Sequence, residues 1–107
     1  MKKLLFLLLF IPLVSFGQTE DEYFKTGNNY YKNGEYWNAE IQYTLAIELN
    51  PNNPKTYLYR AFTYLEREYF SYAIKDLTKV IELNPNDISA YYLRGRIRSF
   101  DIINEYS

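Results

Sequence analysis

The strongest constraint on this chain is an internal period of 34 residues. The pentapeptide Ile-Glu-Leu-Asn-Pro occupies residues 47–51 and again 81–85, and the match continues at the same offset. Tyr23 pairs with Tyr57, Tyr30 with Tyr64, Tyr36 with Phe70, Ala39 with Ala73, and Ala46 with Val80. One further step takes Tyr57 to Tyr91, and Gly27 through Ala61 to Gly95. Self-similarity of this kind marks a repeat array, in which one supersecondary unit recurs and buries its apolar face only against its neighbours.

Within a unit the apolar spacing is helical. Tyr23, Gly27 and Tyr30 stand at i, i+4 and i+7, while Tyr36, Ala39, Tyr43 and Ala46 advance by three, four and three, so each unit holds two helices. Asn33-Gly34 supplies a turn between the first pair, and Asn50-Pro51 and Asn84-Pro85 stop the second helix of each unit, because a residue before proline leaves the α region. Helix starts are marked by Thr19 with Glu22, by Asn53 before Pro54, and by Asp87 before Ile88. The expected helices run over about 20–32, 35–49, 54–67, 69–83 and 88–104. Gly27, Ala39, Ala46, Ala61 and Ala73 fall on the apolar faces among bulky rings, where small residues let helices approach closely. The fold class is therefore all-α.

Residues 1–17, Met-Lys-Lys followed by an apolar run to Phe16 and Gly17, have the form of a secretory signal peptide with a cleavage site near Gly17. The run is interrupted by Pro12 and is shorter than the roughly 20 residues a spanning helix needs, so no stable membrane span is expected after cleavage. The expected location is exported, either periplasmic or secreted. The remaining 18–107 form one small domain with 10 basic and 13 acidic residues, a net charge of −3. That balance argues against nucleic acid as a partner. There is no cysteine, so stability rests on packing, for which the 13 Tyr and 7 Phe supply large rings.

At this point the residues resemble a known family. The segment 20–53 is similar to a tetratricopeptide repeat through Tyr23, Gly27, Tyr30, Gly34, Tyr36, Ala39, Tyr43, Ala46 and Pro51. Residues 54–87 look like a second copy through Tyr57, Ala61, Tyr64, Ala73, Leu77, Val80 and Pro85. Glu68 stands where the first copy has Gly34, so a less tight turn is expected there. Residues 88–107 resemble the first helix of a third copy through Tyr91 and Gly95, and then depart into a partial repeat or capping helix. The resemblance implies a right-handed α-solenoid of stacked antiparallel helix pairs, acting as an interaction scaffold whose first helices line a concave surface for a peptide or protein segment.

No enzyme is expected. The absence of His and Cys removes the commonest general base, two common metal ligands and the most nucleophilic side chain, and no Gly-rich phosphate loop follows a strand. Neither cofactor, metal nor small-molecule substrate is therefore expected. Arg94, Arg96 and Arg98 form the one basic cluster, but Arg96 leaves the face shared by the other two, and Arg60 and Arg94 stand at a place where the family often has a structural arginine.

Carried over place by place, the resemblance puts Asp21, Phe24, Asn28 and Tyr31, then Lys55, Leu58, Phe62 and Leu65, then Ser89, Tyr92, Arg96 and Ser99 on the concave face, with Asn28, Lys55 and Arg96 as its polar rim. An apolar surface with a few polar groups suits an amphipathic or extended peptide. Family members that clamp a carboxylate use five side chains; the matching places here hold Phe24, Asn28, Tyr59, Ser89 and Leu93, of which only Asn28 fits. The alternative expectation is an oligomerising module that pairs with another copy or another chain through the C-terminal helix at Ile97, Phe100, Ile102 and Ile103, or a fragment of a longer array.

Overall fold

The computed structural model describes residues 17–106, with side chains as far as Phe100; the expected leader lies outside them but for Gly17. Five α-helices follow one another: α1 Glu20–Lys32, α2 Tyr36–Leu49, α3 Pro54–Glu66, α4 Phe70–Leu83 and α5 Ile88–Tyr106. Each packs chiefly on its successor, α1 on α2, α2 on α3, α3 on α4 and α4 on α5, which is the nearest-neighbour order of a solenoid. No helix among the described residues is long and apolar enough to cross a membrane.

The helix starts rest on the side chains expected of them. Thr19 Oγ1 accepts from the Glu22 amide at 3.2 Å, Asn53 Oδ1 from Lys55 at 3.1 Å, and Asp87 Oδ1 from Ala90 at 3.0 Å, each satisfying a donor that has no partner inside its helix. Pro54 occupies the first turn of α3, where its missing N–H costs nothing.

The expectation of a looser second turn is corrected. In the first turn Gly34 donates to Tyr31 O at 3.0 Å and Glu35 to Tyr30 O at 2.9 Å; in the second, Glu68 donates to Leu65 O at 3.0 Å and Tyr69 to Tyr64 O at 2.8 Å. The two turns share one geometry, because Glu68 takes a φ of 59° beside the 77° of Gly34. The left-handed conformation is imposed on Glu68 by the bonds that end α3, at the steric cost its Cβ carries.

Small residues mark where helices meet. Ala39, Ala46, Ala61 and Ala73 have no exposed surface, and a Cβ added to Gly27 would lie 2.7 Å from Cε1 of Tyr43, so α1 and α2 touch backbone to ring. The larger core cluster joins α3, α4 and α5 through Tyr57, Tyr64, Leu77, Val80 and Ile97, and the smaller joins α1 and α2 through Phe24, Ala39 and Tyr43. Burying a side chain such as Leu77 or Val80 contributes roughly 1.5–3 kcal/mol.

Polar ties cross between units. Arg60, between α2 and α4, donates from Nε and Nη2 to the Asp76 carboxylate at 2.8 and 2.7 Å and from Nη1 to Thr44 Oγ1 at 3.1 Å. Burial alone would lower the guanidinium's pKa, but the Asp76 bonds outweigh it and hold the group above its usual range. Glu40 on α2 accepts from Tyr64 Oη at 2.9 Å and pairs with Arg67, whose guanidinium lies 5.1 Å from the Trp37 ring centre and 4.3 Å from that of Tyr69.

Candidate functional site

The first helix of the first unit meets the first helix of the second at a spacing of 35 residues, one more than the sequence period. Phe24 on α1 meets Tyr59 on α3 edge to face at 5.1 Å between ring centres, and Tyr31 Oη donates to Glu66 Oε1 at 3.3 Å. Tyr59 in turn meets Phe62 at 5.7 Å, so Phe24, Tyr59 and Phe62 form one chain of rings across the two helices, with Tyr43 of α2 behind it at 5.8 Å from Phe24 and 6.3 Å from Tyr59. Edge-to-face and offset contacts at these distances are the favoured arrangement of aromatic quadrupoles.

The residues expected on this face divide by exposure. Phe24 is only 8% exposed, and Lys55 Nζ stands over its ring at 4.4 Å, which caps it from outside. Asn28 is engaged, its Oδ1 accepting from Tyr43 Oη at 2.5 Å. Burial pushes the Tyr43 hydroxyl above the usual phenol range, which keeps it a donor at any ordinary pH. Tyr31 is half-buried against Tyr36 at 5.4 Å, its hydroxyl likewise pushed up by burial and by Glu66.

Leu58 and Leu65 are half-buried and pack on the larger core, whereas Phe62 is half-buried with its ring on Tyr59. Tyr92 is 66% exposed, and the Arg96 guanidinium lies 5.8 Å from its ring centre. Between the second and third units Leu65, Phe70, Leu93, Arg96, Ile97 and Phe100 border an open, largely apolar hollow of about 220 Å³.

The structure thus brings Phe24, Asn28, Tyr31, Lys55 and Phe62 into one neighbourhood, and Leu65 and Arg96 into another. The set expected on the concave face omitted Glu66 and Phe70, together with Tyr59, which ties Phe24 to Phe62, and Leu93 and Phe100, although Tyr59 and Leu93 stand at the clamp places and Phe100 on the expected self-pairing surface. Tyr59 could have been found by stepping 35 residues from Phe24 rather than 34. No group of three or more His, Cys, Asp or Glu among the described residues could hold a metal ion.

Comparison with known proteins bears directly on this arrangement. A family model described as tetratricopeptide repeat matches residues 43–68. The solved second TPR of Spaghetti (RPAP3), bound to the HSP90 peptide SRMEEVD, is 31% identical over 78% of this chain and 77% of that one, with a TM-score of 0.73. The chain belongs to the tetratricopeptide repeat family. The Arabidopsis OM64 TPR domain is a similar neighbour of this tetratricopeptide protein, at 31% identity and a TM-score of 0.74 over 81% of this chain and 72% of that one. Serine/threonine-protein phosphatase 5 of Homo sapiens is 45% identical over 67 residues, which is 63% of the tetratricopeptide chain but only 13% of the phosphatase. The tetratricopeptide fold itself is an interaction module and carries no catalytic centre.

Proposed function

We propose that the chain is a non-enzymatic scaffold that binds a peptide or a segment of another protein along its concave first-helix face. The observation that carries the reading is the run of rings from Phe24 through Tyr59 to Phe62; a separate apolar hollow at Leu65 and Phe100 adds to it. An aromatic surface of this kind gives a docked segment large contact area at low entropic cost. The similar TPR of Spaghetti is solved with the HSP90 peptide SRMEEVD, which supports a peptide as the class of ligand.

The mode of binding differs from a carboxylate clamp. Phe24 occupies a place where the clamp needs a lysine, and Asn28 spends its carbonyl on Tyr43. The ligand of this chain is therefore a segment recognised by apolar side chains lying on Phe62, Leu65 and Tyr92, with Lys55 and Arg96 offering the charged contacts. The residues bearing this role are Phe24, Asn28, Tyr31, Lys55, Leu58, Phe62, Leu65, Tyr92 and Arg96. The proposed site of action is outside the cytoplasm, on the strength of the leader-like residues 1–17.

Phe62→Asp and Tyr92→Asp test the reading. Both are expected to abolish partner capture from an extract of the source compartment while the circular dichroism spectrum and melting temperature stay near wild type. Undiminished capture by both variants would refute it.

A further inference from the structure

The third unit repeats an arrangement that the second unit completes. On α3, Arg60 is held from one side by Thr44 Oγ1 at 3.1 Å and lies over the Tyr57 ring at 5.8 Å, and it presents Nε and Nη2 to Asp76 on α4. Thirty-four residues on, Arg94 of α5 is held by Thr78 Oγ1 at the same 3.1 Å and lies 5.6 Å from the Tyr91 ring centre. The guanidinium is thus posed as Arg60 is. Among the described residues its hydrogen bond to Thr78 uses only Nη1, the nitrogen that Arg60 also gives to threonine.

The surface around Arg94 repeats the pattern in part, with Tyr91 in the place of Tyr57 and Gly95 in that of Ala61, while Arg98 stands in the place of Tyr64. Tyr57, Ala61 and Tyr64 are buried under α4, and Gly27 is buried under Tyr43 of α2. Their counterpart Gly95 is exposed, and a Cβ there would meet nothing within 4 Å. Tyr91 is 45% exposed and Phe100 50%. Together with Tyr92, Gly95, Arg96 and Ser99 these rings border an open hollow of about 540 Å³.

We propose that the Tyr91, Arg94 and Gly95 face of α5 is a docking site for a carboxylate-bearing amphipathic helix of another polypeptide, seated as α4 sits on α3. The second unit shows what such a face accepts: a helix with a small residue at the point of closest approach, as Ala73 is in α4, and a carboxylate three residues on, as Asp76 is. Charge selects the same occupant. Over residues 88–100 the only charged side chains are Arg94, Arg96 and Arg98, and Arg94 and Arg98 share one face, which favours a carboxylate on the seated helix and opposes the same stretch of a second copy. The site adjoins the concave face at Tyr92 and Arg96 but does not depend on it.

The probe is this protein's own α4 as a peptide, residues 69–84, acetylated and amidated to remove terminal charges and labelled for fluorescence anisotropy against the full chain. Saturable binding below about 1 mM is expected. Changing Asp76 to Asn in the peptide should weaken it at least about fivefold against the wild-type chain, because a hydrogen bond to a charged group is lost, and leave it nearly unchanged against Arg94→Gln. Gly95→Gln in the chain should abolish binding by filling the contact point, and it cannot do so by unfolding α5, since Gln is the better helix former. Phe62→Asp should leave binding intact.

Binding that survives Gly95→Gln, that ignores the Asp76 change, or that is lost with Phe62→Asp would overturn the assignment, as would no binding at all. Light scattering provides the second arm. A dimer dispersed by Gly95→Gln would seat a second copy on this face and would equally overturn the assignment to a helix of another protein.

Discussion

Gly27→Ala isolates the closest contact in the stack. In an ordinary exposed helix this change favours folding by about 1 kcal/mol, because glycine loses more backbone entropy than alanine. Here the new methyl would lie 2.7 and 2.8 Å from two carbons of the Tyr43 ring, some 0.6 Å inside normal van der Waals contact. The ring has no room to yield: Tyr43 is fully buried, packs against both Phe24 and Tyr59, and is tied by its hydroxyl to Asn28. Overpacking of this kind costs about 1–3 kcal/mol. Against the propensity gain, the net loss is at most about 2 kcal/mol, or a fall in melting temperature of up to roughly 15 °C for a domain of this size. Urea denaturation followed by circular dichroism measures it. In a Tyr43→Leu background the clash is removed, so Gly27→Ala should become neutral or stabilising. A stabilised single variant, or the same loss in both backgrounds, would refute the argument from contact.

Other parts of the account yield separate tests. Glu68→Gly should raise stability by about 1 kcal/mol, because it relieves the Cβ strain at a φ of 59°, whereas Gly34→Ala at 77° should lower it by a similar amount; a lower urea midpoint for Glu68→Gly would contradict the shared turn geometry. Burial and the Glu40 bond push the Tyr64 hydroxyl up to about 12, with Arg60 opposing. A group whose folded pKa is raised contributes stability that is present below its unfolded pKa and lost above it, so melting temperature should fall as pH rises from about 10 to 12. Tyr64→Phe should flatten that slope, and an unchanged slope would remove Tyr64 from the explanation.

The helices were legible because each boundary is written in local chemistry. Proline after Asn50 and Asn84, the oxygen of Thr19, Asn53 or Asp87, and the spacing of tyrosines and alanines act within a few residues, and the observed bounds fall within one or two of those expected. Features set by contact between units were harder to read. Phe24 was legible as a first-helix residue, but not as one shielded by Tyr59 and Lys55, which lie 35 and 31 residues away. Arg60 could be assigned a structural place, yet its partners Thr44 and Asp76 sit 16 residues to either side, where no spacing rule reaches. Glu68 misled because glutamate has no preference for the left-handed region; Tyr64 and Leu65 impose it through their carbonyls.

The central claim is that a partner lies across the first helices. A photoreactive phenylalanine analogue placed at Phe62 tests it most directly, with the same analogue at Trp37, which is 61% exposed on α2, as the comparison. The account predicts a covalent adduct with one partner segment from position 62 and none from position 37. An adduct from position 37 with none from position 62 would contradict it.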